Sequence, residues 1–287
     1  MPYFIIKPAR VDVMDYMEDY PLGIYPSDYG LDFEVEQVLL DDGIALKGYL
    51  IEAKCAHPKA TILLLHGIGG VKEGYLDISA VLAEQGYNSF MYDARGHGQS
   101  GGKYCTYGAK EKHDVIAIVD HLEEKYGKHP IAIWGNSMGG AVALQAMELE
   151  SRLQFGIIES TFTELRQIVR DYQKRILKIG LPWVMDTALN QAGKIASFDP
   201  DTILPGESAK HIKQPVFLAH GDQDKRIDIA YGKQIFANLP LDELKEFCMV
   251  KGAGHFDLLP IGGKAYFHKI LNFMDTWVEK RSIKTSD

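Results

Sequence analysis

Two rhythms of apolar and polar residues take turns along this chain. Residues 33–40 and 44–52 alternate apolar with polar around Asp41-Asp42-Gly43, which predicts a hairpin with one solvated face. Residues 61–65 form an unbroken apolar run, as expected of a strand buried on both faces. Further strands are expected at 88–92, 131–134, 155–158, 216–220 and 246–250. Between them lie helical spacings: 75–85 with Gly86 in the stop position, 106–126, a helix after residue 140, 229–238 and 266–279. Strands separated by helices predict an α/β fold, a mostly parallel sheet with helices on both faces, led by the antiparallel hairpin.

Two stretches depart from this rhythm. Residues 1–30 are rich in Tyr, Asp and Pro without a clean period, and read as an arm lying on the domain. Residues 163–190 are helical in character but broken by Gly180 and Pro182, so 163–205 is the natural place for a small helical lid. The expected organisation is therefore an arm (1–30), a core (31–162 and 206–287) and a lid insertion (163–205).

Chemistry enters at Gly135-Asn136-Ser137-Met138-Gly139, between an apolar strand and a helix. A strand, a G-x-S-x-G turn and a helix are the context a nucleophile elbow needs. The turn is so tight that Gly135 and Gly139 are there to remove side chains that would clash with it, and the helix N-terminus behind favours developing negative charge. Three other segments fall at the carboxyl ends of expected strands. His66-Gly67-Ile68-Gly69-Gly70 offers the backbone N–H of Ile68, which with that of Met138 could hold an oxyanion. His220-Gly221-Asp222-Gln223-Asp224 supplies a carboxylate, and Gly252-Ala253-Gly254-His255 an imidazole. The order Ser, Asp, His suits nucleophilic acyl transfer with His255 as base. Asp222, Asp228 and Glu159 are the other carboxylates in range.

On these motifs, and on Asp93-Ala94-Arg95-Gly96-His97-Gly98-Gln99-Ser100, the chain resembles the α/β-hydrolases over roughly residues 33–280. The branch it looks most like is the serine-aminopeptidase and monoglyceride-lipase-like group with a short lid. The resemblance implies Ser137 as nucleophile, Asp224 as acid, His255 as base, and the Ile68 and Met138 amides as oxyanion hole. It also implies that Arg95 and His97 belong to a structural turn.

The expected activity is cleavage of a small carboxylic ester. Peptidase or thioesterase action with the same residues, and a binding protein without turnover, are the alternatives. Glu159 and Glu164 could hold a substrate ammonium in a peptidase. The apolar residues of 163–205 (Ile176, Leu177, Ile179, Leu181, Trp183, Val184 and Met185) would favour an acyl chain or aromatic group if they faced the serine, with Trp183 and Met185 as the candidate contacts. Packing of the lid onto the sheet would explain the same residues.

Composition narrows the partners. A chain of 287 residues with 46% hydrophobic content affords one large domain or two small ones. A net charge of −8 without like-charge runs argues against nucleic acid and anionic membranes. Three cysteines without a C-x-x-C pair suggest free thiols in a reducing compartment. The first residues lack the basic flank and apolar core of a signal peptide, and no apolar run reaches the ~18–20 residues that span a bilayer. A cytoplasmic protein without integral membrane association is the expectation. No histidine pair has ligand spacing, so neither metal nor cofactor is expected.

Overall fold

The computed structural model describes residues 2–14, 22–178 and 181–284, without the side chains of Ile176, Leu177 and 281–284. Eight strands form one sheet in the order β1-β2-β4-β3-β5-β6-β7-β8. They are β1 (Phe33–Leu39), β2 (Ala45–Ile51), β3 (Thr61–Leu65), β4 (Asn88–Tyr92), β5 (Ile131–Asn136), β6 (Leu153–Glu159), β7 (Val216–Gly221) and β8 (Lys245–Val250). β1 and β2 pair antiparallel, β2 runs antiparallel to β4, and the remaining pairings are parallel. The chain order reverses at β3, which has β4 on one side and β5 on the other. In open α/β sheets such a reversal leaves a crevice at the carboxyl ends of the strands.

The apolar runs explain the two-sided burial. In β3, Leu63 and Leu65 pack with α3 (Glu111–Tyr126), α4 (Met138–Leu149) and α8 (Ile229–Asn238), while Ile62 and Leu64 pack with α2 (Leu76–Glu84) and α9 (Leu258–Lys284). Successive side chains of a strand point to opposite faces, so one five-residue run feeds both cores. A third cluster joins α5 (Leu165–Leu177), α6 (Pro182–Ala196) and the short α1 (Pro2–Ile6) through Leu165, Ile168, Leu189 and Ile6. Between β6 and β7 the short α7 (Pro205–Ser208) follows α6. Among the described residues no helix is long and apolar enough to cross a membrane.

Three expectations need correction. The helix expected over 106–126 starts at Glu111. Tyr107 and Gly108 have positive φ, and the Glu111 carboxylate accepts from the N–H groups of Thr106 and Gly108 at 2.7 and 2.8 Å, so side-chain bonding holds the segment as a turn. The arm, read as irregular, begins with α1, whose Ile5 and Ile6 are buried. The last helix starts at Leu258 rather than 266, and Gly263 (φ 54°, ψ −151°) kinks it.

Candidate active site

β3, β5, β7 and β8 end on the same edge of the sheet, and each delivers one of the segments singled out above. Ser137 leaves β5 with φ 54° and ψ −115°, a conformation that costs a non-glycine residue about 1–3 kcal/mol. The surroundings hold it there. Its N–H donates to the Glu159 carbonyl at 2.9 Å, and its own carbonyl accepts from the Thr161 hydroxyl at 2.7 Å. The glycines are steric necessities: a Cβ on Gly135 would lie 2.3 Å from the Gly139 carbonyl oxygen, and one on Gly139 would lie 2.0 Å from that of Leu65.

His255 Nε2 lies 3.0 Å from Ser137 Oγ, and its Nδ1 lies 2.7 Å from Asp224 Oδ2. An ionised carboxylate can only accept, so Nδ1 carries the proton and Nε2 is free to accept from the serine hydroxyl. Ser137 and His255 are both buried, and the Asp224 side chain is fully so. Burial pushes the Asp224 carboxyl up. The His220 imidazole at 3.4 Å and hydrogen bonds from His255 and from the Ile227 N–H outweigh it, and hold the group well below the usual carboxylate range. Asp224 Oδ1 accepts from the N–H groups of Arg226 and Ile227 at 2.7 and 2.9 Å. The carboxylate therefore stays charged, and His255 and these two N–H groups fix its position.

The alternative carboxylates serve elsewhere. Asp222 accepts from the Gly252 N–H at 2.6 Å, Asp228 caps α8 through the Ala230 N–H, and Asp257 accepts from the Gly254 N–H. Glu159 is buried, taking hydrogen bonds from Trp134 Nε1 at 2.9 Å and from the Tyr266 hydroxyl. Burial raises its carboxyl above the ordinary range, against the pull of those two donors.

The turn 66–70 lies against the serine: a Cβ on Gly67 would stand 3.3 Å from Ser137 Cβ. Ile68 follows in this turn, and Met138 opens α4, where a first-turn N–H finds no carbonyl within the helix. The segments that carry these amides leave the ends of β3 and β5 beside Ser137. His66 orders the turn, accepting from the Ala94 N–H at 2.9 Å and donating through Nδ1 to the Gly67 carbonyl at 2.8 Å. Arg95 pairs with Asp114 at 2.7 Å and Asp42 at 2.9 Å, and His97 is buried, its imidazole pushed down to about 3, chiefly by that burial.

A mainly apolar cavity of about 530 Å³ opens beside the serine, within the ~300–1,000 Å³ range of small-ligand sites. Gly67, Ile68, Asn136, Glu159, Phe256 and Leu258 are among the residues that line it. Trp183 stands 69% exposed, Met185 packs onto the third core cluster, and neither borders this cavity. Ile179 and the Ile176 and Leu177 side chains lie outside the described residues. Among the described residues no three His, Cys, Asp or Glu gather as metal ligands.

Two contributors escaped the reading of the sequence. His220, fully buried, donates from Nε2 to the Ile227 carbonyl at 2.9 Å and lies 3.4 Å from Asp224 Oδ2. Its spacing of four from Asp224 was the available signal. Phe256, immediately after the base, sets its ring edge-on to His255 at 4.7 Å between centroids.

Sheet order, elbow and site edge together define an α/β-hydrolase. The family model described as serine aminopeptidase, S33, matches residues 56–203, just over half of the chain, and the chain belongs to that family. It is similar to the lysophosphatidylserine lipase ABHD12 of Macaca fascicularis, 26% identical over 230 residues, covering 77% of this chain and 54% of that protein. The Xenopus tropicalis protein of that name is 26% identical over 267 residues, covering 88% of this chain and 63% of that one. The chain thus spans about half the length of the curated relatives it matches. Among solved structures, the Pyrococcus furiosus esterase Pf2001 superposes with a TM-score of 0.76 at 22% identity, covering 95% of this chain and 98% of that one. Est1E from Butyrivibrio proteoclasticus, with ferulic acid bound, gives 0.64 at 19% identity, covering 84% and 99%. At such identities the likeness is one of fold.

Proposed function

We propose that this protein hydrolyses carboxylic esters through an acyl-enzyme intermediate on Ser137. The observation that carries the reading is the continuous hydrogen-bonded chain from Ser137 Oγ to His255 Nε2 (3.0 Å) and from His255 Nδ1 to Asp224 (2.7 Å). In the first half-reaction His255 Nε2 takes the Ser137 proton as Oγ attacks the carbonyl carbon. The oxyanion forms between the Ile68 and Met138 N–H groups. Collapse breaks the bond to the alcohol, which leaves with the proton from His255. Water then attacks the acyl-enzyme, again losing its proton to Nε2, and the acid departs as Ser137 recovers its proton. Asp224 stays ionised throughout and steadies the imidazolium.

The relatives named as a lipase and as esterases support an ester substrate ahead of a peptide. Glu159 adds to that, because a raised carboxyl already engaged by Trp134 and Tyr266 is a poor anchor for a substrate ammonium. Steady-state turnover of p-nitrophenyl acetate and butyrate tests the reading. Ser137→Ala should lower kcat by at least about 10³-fold; turnover equal to that of the wild type would reject it.

A further inference from the structure

We propose that the N-terminal arm, and not the helical segment 163–205, selects the length of the ester's apolar chain by forming part of the wall of the cavity beside Ser137. The inference rests on the ester-hydrolase reading above.

The arm has the sequence for the task. Val11 and Val13 are half-buried and Asp12 between them is exposed, the chain entering a 3-10 turn at Val13. Both valines line the cavity, together with Ile78, Phe256 and Leu258. Asp12 turns outward and accepts from the Met14 N–H at 3.0 Å. Among the described residues, none of 163–205 borders the cavity.

The arm is also fixed in place. The Ile6 carbonyl accepts from the Cys105 N–H at 2.8 Å, and the Tyr107 hydroxyl donates to the Ile5 carbonyl. Arg10 then ties the next stretch to the loop after β4, donating to the Gly98 carbonyl at 3.2 Å and the Gly102 carbonyl at 2.7 Å. Charge-assisted bonds to two backbone carbonyls anchor the stretch that carries the valines. An apolar chain entering this cavity would meet Gly67 and Asn136, next to Ser137, and the two valines on the same lining. Each methylene accepted or refused by such a pocket changes kcat/KM by about 10–200-fold.

The test is a p-nitrophenyl ester series from acetate to decanoate on the full chain, read as the ratio of kcat/KM for the longest ester turned over to that for acetate. Val13→Trp fills the cavity and should lower the ratio by about tenfold or more. Val13→Ala enlarges it and should raise the ratio, and Arg10→Ala should broaden the profile by freeing the wall. The opposite directions of the two Val13 variants separate selection from misfolding. If both leave the ratio within about twofold, well below one methylene's worth, the proposal is overturned. A larger shift from Trp183→Ala would also overturn it and assign selection to the helical segment. If the wild type turns over no ester, the ester-hydrolase reading itself fails and the proposal falls with it; an active enzyme with an unmoved ratio sinks the proposal alone.

Discussion

The strand-end edge and the helical segment 163–205 are held together by different means. At the edge, backbone carbonyls, buried hydrogen bonds and glycines leave each functional group one position: Ser137 is tied to Glu159 and Thr161, and Asp224 to His255 and the N–H groups of Arg226 and Ile227. The described part of segment 163–205 rests on a buried apolar cluster and on partly exposed ion pairs, such as Arg170–Asp186 at 2.7 Å and Arg166–Asp186 at 3.4 Å. One region is fixed by directional hydrogen bonds and close backbone packing, the other by apolar burial and partly exposed ion pairs. Reaction chemistry, which tolerates little misplacement, occupies the first.

That contrast orders the consequences of mutation. Asp224→Asn keeps the shape of the edge but takes the acceptor from His255 Nδ1, so kcat should fall by about 10³–10⁴-fold with KM little changed. A steady-state comparison checks this, and a loss below tenfold would show that another group orients the imidazole. Gly139→Ala drives a methyl into the Leu65 carbonyl and should destabilise the fold by about 1–3 kcal/mol or more in urea denaturation.

Glu159→Gln probes the buried acid beside the elbow. Burial raises this carboxyl above its ordinary 4.5, so the folded chain holds the proton to higher pH than the unfolded one. The stability it contributes is present below 4.5 and is lost as pH climbs through the raised value. The Tm of the wild type relative to Glu159→Gln should therefore decline as pH rises through that window. A pH-independent difference would contradict it. The smallest effect belongs to the helical segment. Arg170→Ala removes a partly exposed ion pair and should cost less than about 1 kcal/mol, less still in high salt. A loss matching that of Gly139→Ala would erase the contrast between the two regions.

The same contrast governs what could be read from the residues alone. Strands such as Thr61–Leu65 were legible because burial on both faces demands an unbroken apolar run. The elbow was legible because its sterics admit only glycine at Gly135 and Gly139. Helix starts were less so: only the coordinates show that the Glu111 carboxylate holds 106–110 out of α3. The cavity walls were least legible. Val11 and Val13 reach the site because Arg10 grips carbonyls 88 and 92 positions away, and nothing local in the arm announces that contact. The apolar residues of 163–205 attracted attention by their local pattern, yet Met185 packs against the third core cluster and Trp183 faces solvent.

The most direct measurement is labelling of the full chain with a fluorophosphonate, followed by mass spectrometry of the modified peptide. The adduct should form on Ser137, vanish in Ser137→Ala and slow sharply in His255→Ala, because the hydroxyl is nucleophilic only while Nε2 can take its proton. A chain that stays unlabelled, or labels at equal rate without His255, would contradict the account.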